Sequence, residues 1–145
     1  MKKKLPFIIA AVSATLFIFS NSCKNAELSG NASGFWVEKI LYLLSYFKIY
    51  PDAFSVTVFV RKTAHILEFA LQGFLITGCF STPYKKRTFY VLILGVITAC
   101  VDESLQLFFS GRAAMLKDVL IDFSGTVMGF LVFLTGHKFI QKRNY

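Results

Sequence analysis

The sequence contains few charged residues. Asp, Glu, Lys and Arg make up 17% of its 145 residues, whereas 55% are hydrophobic and the mean hydropathy is +0.59. So apolar a chain lacks the polar surface that a soluble domain needs. With only 3 prolines and 9 glycines, the long apolar runs also contain few residues that break helices. The composition excludes an ordinary soluble protein and predicts an all-α integral membrane protein.

Motifs of several function classes are also missing. The 3 cysteines lack the C-x-x-C spacing of a metal or redox site, and no H-E-x-x-H motif is present. The net charge of +8 does not form a basic stripe interleaved with stacking aromatics, so no nucleic-acid partner is predicted. The sequence identifies no cofactor, metal or oligomeric state. Its length predicts a single domain, 1–145.

Four apolar segments are close to the length of about 20 residues that a helix needs to cross a bilayer. The predicted spans are about 5–21, 64–81, 88–109 and 118–136. The first can also be the apolar region of a signal peptide ending at Cys23, but Ser20 stands where a lipobox prefers Leu, so an uncleaved span is favoured. Lipidation of Cys23 stays open. Pro83 is expected to end the second span before a basic turn.

The orientation follows from the Lys and Arg residues in the short loops. A cytoplasmic N-terminus places three basic clusters, without any acid, on the inner side; they are Lys2–Lys4, Lys85–Arg87, and Lys138 with Lys142 and Arg143. All 8 acids then lie on the outer side. The sequence therefore predicts a multi-pass protein of the bacterial cytoplasmic membrane with both termini in the cytoplasm.

The outer segment between the first two spans is too long for a tight hairpin. Its stretch "FWVEKILYLLSYFKIY" places Trp36, Ile40, Leu44 and Phe47 near one face of a helix. A helix in the headgroup layer and a helix packed on the bundle both fit this amphipathic pattern. The predicted fold is a bundle of four transmembrane helices with an amphipathic outer segment between the first two.

Polar residues occur in three of the predicted spans, always toward the outer end. Around the second span, Arg61, His65, Glu68 and Gln72 are spaced to share one helical face, with Lys62 beside them. A carboxylate near hydrocarbon is costly unless it is neutralised, paired or exposed to a polar cavity. These side chains are therefore candidates for a site.

The third and fourth spans add four acids on the same side of the membrane. Asp102 and Gln106 share a helical face, while Glu103 is expected to point about 100° away. Asp118 and Asp122 share a face of the fourth span. These acids and Glu68 cannot all be buried and ionised without repulsion, so we expect pairing with nearby cations and a polar pocket that faces outward. The expected cations are Arg61, Lys62, His65, Arg112 and Lys117.

Three roles fit these residues. His65 and Glu68, joined by Asp102 and Asp122, can ligate a metal or serve as an acid/base pair in hydrolysis. An ion-paired network that holds the helices in register explains the same residues. The catalytic candidates are His65, Glu68, Asp102, Glu103 and Asp122, and the binding candidates are Arg61, Lys62, Gln106, Arg112 and Asp118.

Gly125 and Gly129 form a G-x-x-x-G pattern in the fourth predicted span. The missing side chains allow another helix to approach closely, within the bundle or between protomers. Packing within the monomer is predicted.

Three patterns in "RKTAHILEFALQGFL" and "DESLQLFFSGRAAMLKDVLIDFSGTVMG" occur together with "FSNSC" after the first predicted span. Lys-x-x-His-x-x-Glu-Phe is formed by Lys62, His65, Glu68 and Phe69. Asp-Glu-x-x-Gln-x-Phe with a following Gly-Arg is formed by Asp102, Glu103, Gln106, Phe108, Gly111 and Arg112. Asp-Val-x-x-Asp-x-x-Gly is formed by Asp118, Val119, Asp122 and Gly125. This combination, over about half the chain, resembles the VanZ-like family of small bacterial integral membrane proteins.

The resemblance implies a role in the cell envelope and lowered sensitivity to lipoglycopeptides such as teicoplanin, the drug with which the family's name is associated. A lipid-linked wall precursor, a lipid headgroup or a lipoglycopeptide suits a pocket that joins cations to an apolar surround. An intramembrane acid/base or metal-assisted hydrolase or transferase acting on a lipid-linked substrate is the alternative. A structural membrane scaffold is the second alternative.

Overall fold

The computed structural model describes residues 4–80 and 83–143. Lys2, Lys3 and the predicted end of the second span at 81 lie outside the described residues, as do the side chains of Lys138, Lys142 and Arg143. The described ranges contain helices and no strand, which confirms the all-α prediction. The helices are α1 (Leu5–Ser22), α2 (Ala26–Tyr46), α3 (Ala53–Cys79), α4 (Tyr84–Gln106) and α5 (Leu116–Arg143).

Three of these helices are long and apolar enough to cross a membrane. They are α1, α4 and the part of α5 from Leu116 to His137. The sequence predicts four spans, and α3, which contains the second, does not meet the same criterion. Its residues Lys62, His65, Glu68 and Gln72 lower the hydropathy of the helix. The predicted bundle of four transmembrane helices is thus not confirmed, and three helices are candidate spans by length and composition.

The bounds of α3 and α4 differ from the prediction because local capping decides them. Asp52 begins α3, since its carboxylate Oδ1 accepts the N–H of Ser55 at 2.8 Å. Pro83 is the residue before α4, where the missing N–H costs nothing. Lys85–Arg87 therefore lie in the first turn of α4 and not in a separate basic turn. At its other end α4 stops at Gln106, before the predicted residue 109.

The outer segment forms α2, which packs on α3. Asn25 caps α2 by accepting the N–H of Leu28 at 2.8 Å. The buried residues of α2 are Ser33 and Val37, whereas Trp36 on the predicted apolar face is 61% exposed. Ile40 and Leu44 of the predicted face are partly buried, so the helix packs through only part of the face that the hydrophobic pattern indicated.

Close packing between α3 and α5 forms the centre of the bundle, and it depends on glycine. A methyl group at Gly125 would meet the carbonyl oxygen of Ile66, and one at Gly129 would meet the carbonyl oxygen of Ala70. Both obstacles belong to the backbone of α3, so only the absence of a side chain lets the helices approach this closely. The predicted packing of this glycine pair within the monomer is confirmed.

Helix direction separates the basic and acidic residues along the bundle. Arg112, after α4, donates from Nε to the carbonyl of Lys24, after α1, at 3.2 Å, so α1 and α4 are parallel. At the other end, the ring of Tyr84 lies 6.2 Å from that of Phe130. The end formed by the last turns of α1 and α4 and the first turns of α5 carries the acids, and Lys85 lies at the opposite end.

Candidate functional site

A pocket of about 590 Å³ opens at the acidic end of the bundle. The start of α2, the first half of α3, the connection from α4 to α5 and the first turns of α5 form its walls. Phe54, Val58, Met115 and Ile121 supply apolar surface. The predicted site residues that line it are Arg61, Lys62, His65, Glu103, Gln106, Arg112, Asp118 and Asp122.

Glu68 is a predicted site residue that the pocket lining does not include. Its carboxylate Oε1 accepts a hydrogen bond from Asn21 Nδ2 of α1 at 2.8 Å. One turn deeper, Gln72 Nε2 donates to Thr15 Oγ1, also of α1, at 2.8 Å. The lower half of the predicted polar face of α3 is therefore directed toward α1 and not into the pocket.

Gln106 joins two acids of α4 beneath the pocket. Its Nε2 donates to Asp102 Oδ2 at 3.2 Å and to Glu103 Oε1 at 3.1 Å. The other oxygen of Glu103, Oε2, accepts the N–H of Met115 at 2.9 Å, directly before α5. A carboxylate at a helix N-terminus is favoured by the unpaired N–H groups and by the helix dipole. Glu103 is thus held together with Asp102, although their spacing predicted divergent directions.

Of the Lys and Arg residues expected to pair with the acids, one forms an ion pair within the described residues. Lys62 of α3 forms an ion pair with Asp118 in the first turn of α5. Arg112 instead donates to neutral oxygens, among them Gln106 Oε1 at 3.0 Å, and forms no ion pair within the described residues. Burial lowers the pKa of Arg112 below its usual range, yet a guanidinium stays charged at neutral pH.

Arg61 and Lys117 also line the pocket. Neither forms an ion pair with an acid in the described part of the chain. Their charges therefore face the pocket without a carboxylate partner there. Such cations attract an anionic ligand.

His65, Asp102 and Asp122 converge at the base of the pocket. His65 Nδ1 lies 3.5 Å from Asp122 Oδ1 and 3.8 Å from Asp102 Oδ2. One potential ligand atom from each residue lies within 4.8 Å of the other two, so these three side chains can hold a metal ion. Asp102 is 0% exposed and Asp122 is 2% exposed. The predicted metal set included Glu68, which does not belong to this cluster.

The contribution of α1 to the site was not predicted from the sequence. Asn21 binds Glu68 through its side chain, and its backbone carbonyl accepts from Arg112 Nη2 at 3.4 Å. Ser22 is fully buried at the same helix end. The polar run "SNS" at the end of an apolar segment could have indicated this contribution. However, α1 contains no charged residue, and the candidate site was built around charged side chains.

Comparison with protein families gives one match. The family model described as VanZ/LLP1 matches residues 7–139, which is nearly the whole chain and includes every predicted site residue. No curated protein and no solved structure matches the chain.

Proposed function

The chain belongs to the VanZ/LLP1 family, and on this premise we propose that it acts in the envelope as a multi-pass protein of the bacterial cytoplasmic membrane. Its pocket opens on the extracytoplasmic side and binds the anionic headgroup of a lipid-linked molecule, such as a wall precursor or a lipoglycopeptide. Its presence lowers the sensitivity of the cell to lipoglycopeptides such as teicoplanin.

The connectivity supports α3 as a fourth membrane crossing. Because α1 and α4 are parallel, the chain must return across the bilayer between residues 22 and 84. With 27 residues, α3 is about 40 Å long, which exceeds the hydrocarbon thickness of about 30 Å. Its polar side chains contact α1 and α5 and so avoid lipid. This crossing gives four spans with both termini on the same side.

The distribution of charge supports the orientation. Lys4 precedes α1 and Lys85–Arg87 begin α4, so these basic residues share the end of the bundle opposite the pocket. Basic residues in short loops favour the cytoplasmic side. The pocket then faces outward, where wall precursors and lipoglycopeptides meet the membrane.

The observation that carries the binding proposal is that Arg61 and Lys117 line the pocket and form no ion pair with an acid among the described residues. They occupy the same pocket as the exposed ring of Phe54 and the side chain of Met115. Cationic and apolar groups together suit an anionic headgroup attached to a hydrocarbon chain. A water-soluble anion would gain nothing from the apolar wall.

A susceptibility assay tests this proposal. A sensitive Gram-positive host expresses the wild type or the double variant Arg61→Gln with Lys117→Gln, at equal abundance in the membrane. The control, Lys39→Gln, removes a cation from α2 that does not line the pocket. We expect the wild type and the control, but not the double variant, to raise the inhibitory concentration of teicoplanin more than that of vancomycin. Equal protection by all three proteins, or protection by none, contradicts the proposal.

A hydrolase or transferase that acts on a lipid-linked substrate is a second candidate. The buried acids Asp102 and Asp122 favour it, because each has a carboxylate oxygen without a hydrogen-bond partner among the described residues. Glu68→Gln and Asp122→Asn test this candidate when membrane abundance is measured in parallel. Loss of protection at normal abundance supports acid/base chemistry. Full protection by both variants excludes Glu68 and Asp122 from such chemistry. Loss of abundance indicates a structural scaffold.

A further inference from the structure

The base of the pocket contains more buried negative charge than its neighbours compensate. Asp102 Oδ1 and Asp122 Oδ2 have no hydrogen-bond partner in the described ranges. Among the described residues, no Lys or Arg forms an ion pair with Asp102 or Asp122, since Lys62 pairs with Asp118 and Arg112 donates to neutral oxygens. A buried carboxylate without a partner is strongly unfavourable. A positive charge at the centre of this cluster removes that cost.

A hydrogen bond from His65 does not compensate the buried negative charge of Asp102 and Asp122. His65 Nδ1 is 3.5 Å and 3.8 Å from the nearest oxygens of Asp122 and Asp102, which exceeds the usual N–H···O limit of about 3.2 Å. His65 Nδ1 is itself buried without a hydrogen-bond partner among the described residues. The imidazole therefore faces both carboxylates without a direct hydrogen bond to either.

The distances of 3.5 Å and 3.8 Å from His65 Nδ1 to the carboxylate oxygens are close to the distances between neighbouring ligand atoms around a tetrahedral metal ion. Bonds of about 2.0–2.1 Å at the tetrahedral angle place neighbouring ligand atoms about 3.4 Å apart. One imidazole nitrogen and two carboxylate oxygens are donors that zinc accepts, and a catalytic zinc site uses three protein ligands and leaves a fourth position open. His65 and Asp122 line the pocket, so the fourth position faces it.

We propose that His65, Asp102 and Asp122 bind a zinc ion at the base of the pocket. Gln106 is a positioning residue, because its amide donates to Asp102 Oδ2 and orients that ligand. Glu68 is not a ligand, because Asn21 holds its carboxylate toward α1. The bound ion gives the pocket a Lewis acid beside the proposed site for an anionic headgroup. The site does not depend on which lipid-linked molecule occupies the pocket.

Zinc titration of the full-length, tag-free protein in detergent tests the proposal. The protein is stripped with a chelator and titrated with Zn²⁺ alone in competition with a fluorescent zinc indicator. We expect one zinc per wild-type chain, with an affinity reduced more than about 100-fold in Asp122→Asn and in His65→Gln and about 10- to 100-fold in Gln106→Leu. The control is Glu38→Gln, which removes an exposed acid of α2 that does not line the pocket, and its affinity is expected to equal that of the wild type.

Thermal unfolding shows whether the variants are folded. Without metal, Asp122→Asn is expected to melt at or above the wild-type temperature, because an amide replaces an unpaired buried carboxylate. Zinc should then raise the melting temperature of the wild type and not that of the variant.

Several results would overturn the metal site. They are a wild type that binds no zinc, a Glu38→Gln control that loses as much affinity as Asp122→Asn, and a His65→Gln variant that binds as tightly as the wild type. The binding proposal for Arg61 and Lys117 survives any of these results, because its assay changes neither His65 nor Asp122.

Discussion

Replacement of Gly129 by alanine is expected to force α3 and α5 apart. The added methyl group would overlap the carbonyl oxygen of Ala70 and the amide nitrogen of Phe74. Both atoms belong to the backbone of α3, so neither can rotate away as the end of a side chain can. The two helices must separate, or α5 must shift along its axis.

The size of the effect follows from two opposing contributions. Overpacking of a tight interface costs about 1–3 kcal/mol, and a backbone obstacle places this substitution near the upper value. Alanine regains about 1 kcal/mol over glycine through its higher helix propensity. The free energy of unfolding is expected to fall by about 2 kcal/mol, which lowers the melting temperature by about 4–8 °C for a chain of this length.

Circular dichroism of purified protein in detergent measures this shift. Gly136→Ala on the same helix is the control, because nothing lies within 4 Å of a methyl group there. That variant should be as stable as the wild type or more stable, by up to about 1 kcal/mol. Equal melting temperatures for Gly129→Ala and Gly136→Ala would refute the close approach of α3 and α5.

The same substitution should also disturb the site. Asp122 precedes Gly129 by about two turns of α5, and His65 lies on α3 across the same interface. Separation of the helices lengthens the distance of 3.5 Å between His65 Nδ1 and Asp122 Oδ1. Zinc affinity should therefore fall in Gly129→Ala and stay unchanged in Gly136→Ala.

Two further substitutions test local features by the same thermal measurement. Asp118→Lys should destabilise the protein, and the added substitution Lys62→Asp should restore about 1 kcal/mol of coupling energy; full additivity of the single effects would exclude the ion pair. The restoration is incomplete, because a lysine in the first turn of α5 opposes the helix dipole. Lys48→Gly should stabilise the protein by about 1 kcal/mol, since Lys48 has a φ of 58° after α2; a lower melting temperature would contradict this expectation.

Much of the fold is encoded locally and was predicted from the sequence. The apolar runs of α1, α4 and α5 are long enough to indicate helices in a membrane whatever their neighbours are. The glycine pair at Gly125 and Gly129 likewise predicted a close contact between helices. The start of α3 was not predicted, because the capping residue Asp52 lies twelve positions before residue 64, where the predicted span begins.

The sequence by itself determined which side chains are candidates and which end of the bundle they share, because helical spacing fixes the face and depth of each residue along its own helix. Only the tertiary structure decided their partners. Lys62 forms an ion pair with Asp118, and Arg112 donates to neutral oxygens. Asp102 and Asp122 both face His65. Pairing across helices depends on the rotation and register of each helix against the next, and these are set by packing over the whole interface, including the tight contact at Gly129.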